Sequence, residues 1–290
     1  MILYDIFVAP FIEFAFMRRA LAGAAALAIS SGPIGVFLML RRMSLAGDAM
    51  SHAVLPGAAV GFILFGLSIV PMTLGGLVAG LAVALLSGLV ARVTSQREDA
   101  SLAAFYLISL ALGVLLISLR GTSVDLMHVL FGTVLALNNE ALMMIAIVAT
   151  VSLLGLAAIW RPLVAECLDP NFLRSVSRAG QPSHLIFLGL VVLNLVGGFQ
   201  ALGSLLAVGL MMLPAAAARF WVRSLEVTVA LAIVIGLASA YFGLLLSYYV
   251  NVASGPTIIL VAGALYLASL LLGPRGFIAG RSISPRHRVG

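Results

Sequence analysis

The chain reads as a succession of uncharged apolar runs separated by short polar breaks. A membrane-spanning helix needs about 20 consecutive apolar residues. Residues 20–40 are the first such run, ended by Arg41-Arg42. Residues 52–91 are too long for one helix and divide at Gly66 to Pro71. This predicts a second span over 45–65 and a third ending at Arg92. Arg97, Glu98 and Asp99 form a polar loop, and 100–119 is the fourth span, closed by Arg120-Gly121. Residues 124–137 are apolar but, at about 14 residues, too short to cross, which predicts a re-entrant or interfacial segment. Residues 141–160 are the fifth span, and 161–183 is the most polar stretch of the chain.

Two longer runs follow. Residues 185–218 carry no charge. As one helix they would be roughly 50 Å long, against a hydrocarbon core of about 30 Å. Gly197, Gly198 and Gly203 offer a break, and arginines flank both ends (Arg174 and Arg178 before, Arg219 and Arg223 after), so two crossings are expected. Residues 227–274 must also be two spans, turning between Asn251 and Pro256. Arg41/Arg42, Arg92/Arg97, Arg161/Arg174/Arg178, Arg219/Arg223 and the C-terminal arginines then all fall on one side. The positive-inside rule makes that side the cytoplasm, with the N-terminus outside and about nine crossings, or eight if one run does not span. Arg18-Arg19 run against the rule. The expected organisation is all-α and polytopic: one transmembrane domain over 1–274 and a basic cytoplasmic tail over 275–290. Small residues at close-packing spacing, such as Gly57/Gly61 and Gly76/Gly80, suit helix contacts in lipid.

Composition removes the alternative solvent. The 290 residues are 63% hydrophobic and 9% charged, whereas a soluble chain carries about 25% charged residues. The net charge of +6 is spread between apolar runs rather than gathered on one face, so it does not point to nucleic acid. All 16 basic residues are arginine. Without lysine no Walker A loop can be built, so this chain does not hydrolyse nucleotide by itself. The single Cys167 permits neither an internal disulfide nor a CxxC motif. The first 17 residues carry Asp5 and Glu13 and lack a basic leader, which argues against a signal peptide. No HExxH is present, and no GxSxG lies in a strand-turn-helix context, so enzymatic readings find no support.

Ionisable groups inside spans are costly and mark function. Asp48 and His52 are i and i+4, on one helical face in the inner half of the second span, with Pro56-Gly57 just beyond to weaken the helix. A carboxylate and an imidazole can co-ligate a divalent metal, with other helices, water or a second copy completing the shell. Incomplete ligation suits a transit site, because passage requires release. The same spacing also fits a hydrogen-bonded pair that only locks packing. Asp125 and His128, i and i+3 near the outer surface, are placed to guide an incoming cation or simply to cap a helix end. His184 and His287 receive no role. In the polar stretch, Cys167-Leu168-Asp169-Pro170-Asn171-Phe172 reads as an N-cap Asp with Pro at the first helical position. A short helix would follow and end at Gly180, either an ordinary surface helix or one that docks into an ATPase groove.

The run Arg41-Arg42-Met43-Ser44-Leu45-Ala46-Gly47-Asp48-Ala49-Met50-Ser51-His52-Ala53-Val54-Leu55-Pro56-Gly57 resembles the signature of the ABC-type permeases that import zinc, manganese or iron. The resemblance continues at Ser123-Val124-Asp125-Leu126, at Leu130-Phe131-Gly132, through Gly203 to Ala218, and at Ser254-Gly255-Pro256-Thr257. It implies a fold related to the vitamin B12-type importer permeases with fewer helices, and a homodimeric or heterodimeric core. It also implies a cytoplasmic ATP-binding subunit and an extracytoplasmic metal-binding protein. Asp48 and His52 fall on positions the family uses toward metal, and Asp169, Pro170, Phe172, Arg174, Arg178 and Gly180 fall in its ATPase-coupling region. The chain departs from the family at Met127-His128-Val129, where a Leu-Ser-Tyr-like stretch is common; the extra His either favours zinc or has no effect. It departs again at Pro256, where Ala is common.

The function expected is therefore a permease subunit of a bacterial inner-membrane importer, as a homodimer, with no permanently bound cofactor. Its transported metal is zinc first and manganese next. A secondary transporter or channel working without an ATPase, and an iron-chelate permease, are the alternatives.

Overall fold

The computed structural model describes residue 4, residues 7–66, 68–94, 98–119, 134, 137–169, 173 and 180–278. Among these there is helix and no strand. The elements are α1 (Ala9–Glu13), α2 (Ala15–Leu40), α3 (Ala46–Ala53), α4 (Leu55–Phe65), α5 (Ile69–Val93), α6 (Glu98–Leu119), α7 (Asn139–Leu168), α8 (Gly180–Leu202), α9 (Ser204–Ala218), α10 (Leu225–Val250) and α11 (Ser254–Leu272). Taking α3 and α4 together, eight of the described segments are long and apolar enough to cross a bilayer, and α9 is a shorter apolar helix. This meets the expected polytopic all-α architecture.

The helix α2 is the hub, packed against α7, α8, α9 and α10. Its stretch from Ser30 to Leu38 is buried all round. A helix apolar on every side belongs in the interior of a bundle. Pro33 lies within this stretch without ending the helix, as bundle neighbours allow in a membrane. Buried polar side chains add a second kind of contact. Asn194 of α8 donates to Ser152 of α7 at 2.9 Å, and its Oδ1 lies 3.2 Å from the Ser30 hydroxyl of α2.

Glycines set the closest approaches. A Cβ on Gly57 of α4 would overlap the carbonyl oxygen of Gly75 of α5, and one on Gly75 would overlap that of Gly57. The two backbones touch, as the small-residue spacing around Gly57 and Gly61 predicted. Gly203, at φ 97 and ψ 154, reverses the chain between α8 and α9. Gly198 and Ala207 then face each other across the hairpin, with a Cβ on Gly198 only 2.7 Å from the Ala207 methyl. Asn251, left-handed at φ 58, caps α10 and starts the last reversal.

The arginine-rich ends share one side. Gly35, near the end of α2, abuts Met211 and Ala215 of α9. Arg41 of α2 reaches Glu166 at the end of α7. Arg275 donates its backbone N–H to Phe220, just past α9, at 3.1 Å, and its side chain to Val222 at 3.3 Å. At the other side Arg19 meets Asn139, and the Tyr241 hydroxyl donates to the Phe7 carbonyl at 2.6 Å.

Three boundaries differ from expectation. The first helix begins at Ala15, not at 20, and takes in Arg18 and Arg19. Arg18 donates to the Ile12 carbonyl at 2.5 Å, so it stays at the helix start where its charge can reach the interface. The fifth span continues through Arg161 and Pro162 to Leu168, because a helix can run on past the lipid boundary that polar residues mark. The break in 185–218 is at Gly203 alone. Gly197 lies inside α8 against Val148, and Gly198 lies there against Ala207 and Leu27. Of the predicted re-entrant segment only Val134 and Leu137 are described, and both are buried. Residues 279–290 of the tail lie outside the described residues.

Candidate functional site

The site begins with how α2 ends. The Arg41 N–H bonds the Phe37 carbonyl, Arg42 turns left-handed at φ 60, and the Met43 N–H returns to the Leu38 carbonyl at 2.9 Å. This left-handed closure terminates a helix by satisfying its last carbonyls. The chain re-enters the bundle as α3, whose small residues Ala46, Gly47, Ala49 and Ala53 are buried. Gly47 faces the side chains of Met211 and Met212 on α9.

That packing turns Leu45, Asp48 and His52 to the opposite face. Asp48 is 64% exposed and His52 32%, and their Oδ1 and Nε2 atoms stand 3.8 Å apart. The separation is too long for a hydrogen bond, so the two side chains are not bonded to each other and their polar atoms point away from the packed face of α3. Next to His52, the Tyr106 ring of α6 lies 6.4 Å away, tilted by 31°. The helix breaks at Val54, between α3 and α4, with Pro56 at the start of the second piece. Pro56 has no N–H to continue the ladder. The Ser109 hydroxyl of α6 ties down the end of α3 by donating to the Ala53 carbonyl.

A carboxylate left facing lipid would cost about 2.5–3.5 kcal/mol. The exposed face of α3 is therefore a face for water or for protein. No group of three or more His, Cys, Asp or Glu side chains that could hold a metal is found among the described residues. Asp48 and His52 supply two donors, and a full shell needs more. Asp125 and His128 lie outside the described residues.

At the arginine-rich side, Asp169 ends α7 and its carbonyl accepts from the Leu173 N–H at 3.2 Å. That i to i+4 bond is the one an N-cap residue receives. Gly180 opens α8 against the Leu173 side chain. Pro170, Phe172, Arg174 and Arg178 lie outside the described residues.

Sequence reading passed over a cluster beside this segment. The Arg41 guanidinium pairs with Glu166 at 2.5 Å, meets the Nδ1 of His184, and sits over the Phe187 ring at 5.1 Å. The only signal in sequence was the Arg41-Arg42 pair heading the motif.

Residues 13–273 match the model of the ABC 3 transport family. The chain belongs to the ABC 3 transport family. The manganese import system permease protein ScaB of Streptococcus parasanguinis is 34% identical over 263 residues, covering 91% of this chain and 92% of that protein. The chelated iron transport system membrane protein YfeC of Yersinia pestis is 29% identical, covering 96% and 93%. Among solved structures, a chain of PsaBC from Streptococcus pneumoniae in complex with Fab superposes with a TM-score of 0.81 at 31% identity, covering 97% of this chain and 100% of that one. Members of the ABC 3 family are membrane permease subunits rather than enzymes, and this is the class that residues 41–57 indicated.

Proposed function

We propose that this chain is the permease subunit of a bacterial plasma-membrane ABC importer that moves a divalent transition metal into the cytoplasm, with manganese ahead of zinc. The observation that carries the reading is the exposed Asp48–His52 pair on a broken helix in the arginine-side half of the bundle. Asp48 offers a hard oxygen that suits manganese, and His52 a nitrogen that suits zinc as well. The names of ScaB and its kin move the weight from zinc to manganese. A second copy of the chain, facing the first across α3, would cover the polar face and bring two further donors. An extracytoplasmic metal-binding protein would deliver the ion, Asp125 and His128 would receive it, and a cytoplasmic ATPase docked on residues 169–180 would drive release. The iron-chelate alternative is supported by the name of YfeC.

The test is uptake into proteoliposomes holding the chain with its ATPase and binding protein, using manganese, zinc and iron in competition. ATP-dependent manganese uptake that falls at least tenfold in Asp48→Ala and His52→Ala, an effect of about 1.4 kcal/mol, supports the reading. Uptake that survives both substitutions, or that runs on an ion gradient without ATP, overturns it.

A further inference from the structure

We propose that Arg41 is a positioning residue that ties both ends of the ATPase-facing segment to the metal-transit helix, so that movement of one moves the other. The inference rests on the permease reading above.

Three helices meet on one guanidinium. Arg41 is the residue that caps α2, and its side chain is 9% exposed. Its Nη2 donates to Oε2 of Glu166, whose side chain is 21% exposed. Its Nη1 meets Nδ1 of His184, which is buried. A guanidinium has only donors, so Nδ1 is the acceptor, and the ring N–H of this tautomer is on Nε2. The ring of Phe187 lies under the cation, and Phe37, buried with it, is edged by Trp160 at 5.2 Å.

The placement of these partners gives the cluster its meaning. Glu166 stands one helical turn before Asp169, where α7 ends. His184 stands one turn after Gly180, where α8 begins. The two flanks of the segment from 169 to 180 therefore grip the same side chain. On the other side, Arg41 leads into α3 with almost no slack. Arg42 is held left-handed, Met43 bonds back to Leu38, and the Ala46 N–H bonds Met43 at 3.0 Å. Met43 and Ala46 are buried. Asp48 follows within the first turn of α3.

Such a cluster is a poor device for stability alone. Withdrawing Arg41 and most of Glu166 from water offsets much of what their attraction returns, so the pair is weak evidence for a purely stabilising role. The Arg41 Nε is also buried without a hydrogen-bond partner among the described residues, an added cost. An arrangement that adds little stability and joins two elements with separate jobs fits a two-state link, in which charge pairs are made or re-made together.

The experiment uses the full complex of this chain with its ATPase in proteoliposomes, supplied with the metal-loaded binding protein. Manganese uptake and ATP hydrolysis are measured together for Arg41→Lys, Glu166→Gln, His184→Gln and Arg41→Ala, with the melting temperature of each complex. The expected result is an assembled complex that still hydrolyses ATP while the ATP consumed per metal rises about tenfold, inside the range typical of coupling between sites. Glu166→Gln, nearly isosteric, carries the test if Arg41→Ala fails to assemble. An unchanged ratio in folded variants overturns the inference, as does a parallel fall of uptake, hydrolysis and melting temperature. No ATP-driven uptake in the unaltered complex overturns the permease reading and this inference with it. A normal unaltered complex with uncoupled variants upholds both.

Discussion

The hydroxyl of Ser109 donates to the carbonyl of Ala53 at 2.9 Å, holding α6 against the last residue of α3 just before the chain breaks at Val54. The bond is buried and crosses between two helices, so nothing in solvent replaces it. Interhelical hydrogen bonds in membrane bundles average about 0.6 kcal/mol, with a maximum near 1.7. Ser109→Ala should cost that amount in a reversible unfolding assay in bilayers. Ser118→Ala, an exposed hydroxyl on the same helix bonded, among the described residues, to its own helix, should cost nothing measurable.

The contact of Gly57 with Gly75 predicts a larger effect. Alanine at either position places a methyl where the other backbone already lies, and no flexible side chain can yield. Overpacking of this kind costs about 1–3 kcal/mol, sometimes more. Gly57→Ala and Gly75→Ala should lower the yield of monodisperse protein and its melting temperature. Gly263→Ala, where a Cβ meets open space, should leave both unchanged or slightly improved, since alanine favours helix over glycine.

Gly203 carries a different constraint. Its φ of 97 with ψ of 154 is a conformation open almost only to glycine. Gly203→Ala should destabilise by about 1–3 kcal/mol and loosen the α8–α9 hairpin. Faster modification of a cysteine introduced at Ala207, which Gly198 now covers, would report that loosening. An unaltered modification rate would remove Gly203 as the element that fixes the turn.

The buried trio of Ser30, Ser152 and Asn194 makes an ordering test. Asn194 serves two helices at once, while Ser30 also has the Ala26 and Leu27 carbonyls of its own helix within 3.1 Å. Asn194→Ala should therefore cost about 1–2 kcal/mol, and Ser30→Ala clearly less. Equal losses in the unfolding assay would mean that the pairing across helices contributes little.

The spans were legible because lipid asks for about 20 apolar residues at a time, and Arg41-Arg42 or Asn251 stand where such runs stop. The shared face of Asp48 and His52 followed from their spacing, and its exposure agrees with the packing of Gly47 and Ala49 behind it. Helix ends were less legible. Arg161 marks the edge of the membrane, and α7 simply continues beyond it. Gly197, Gly198 and Gly203 look alike as letters, yet only Gly203 takes a positive φ, while the others admit neighbouring side chains. The Arg41 cluster was out of reach for another reason. Its partners are 125 and 143 residues away along the chain, and no local pattern carries a contact of that range.

The touching backbones of α4 and α5 also bear on how the bundle can deform. Where side chains separate two helices, a change of rotamers lets one slide on the other. Between Gly57 and Gly75 there are no rotamers to exchange, and a close-packed contact does not compress. The pair is accordingly a stiff contact, and the helix on one side of it is interrupted. The interruption is the break at Val54, two residues from His52. A bend at that break would carry α3, with Asp48 and His52 on it, as one short rigid piece.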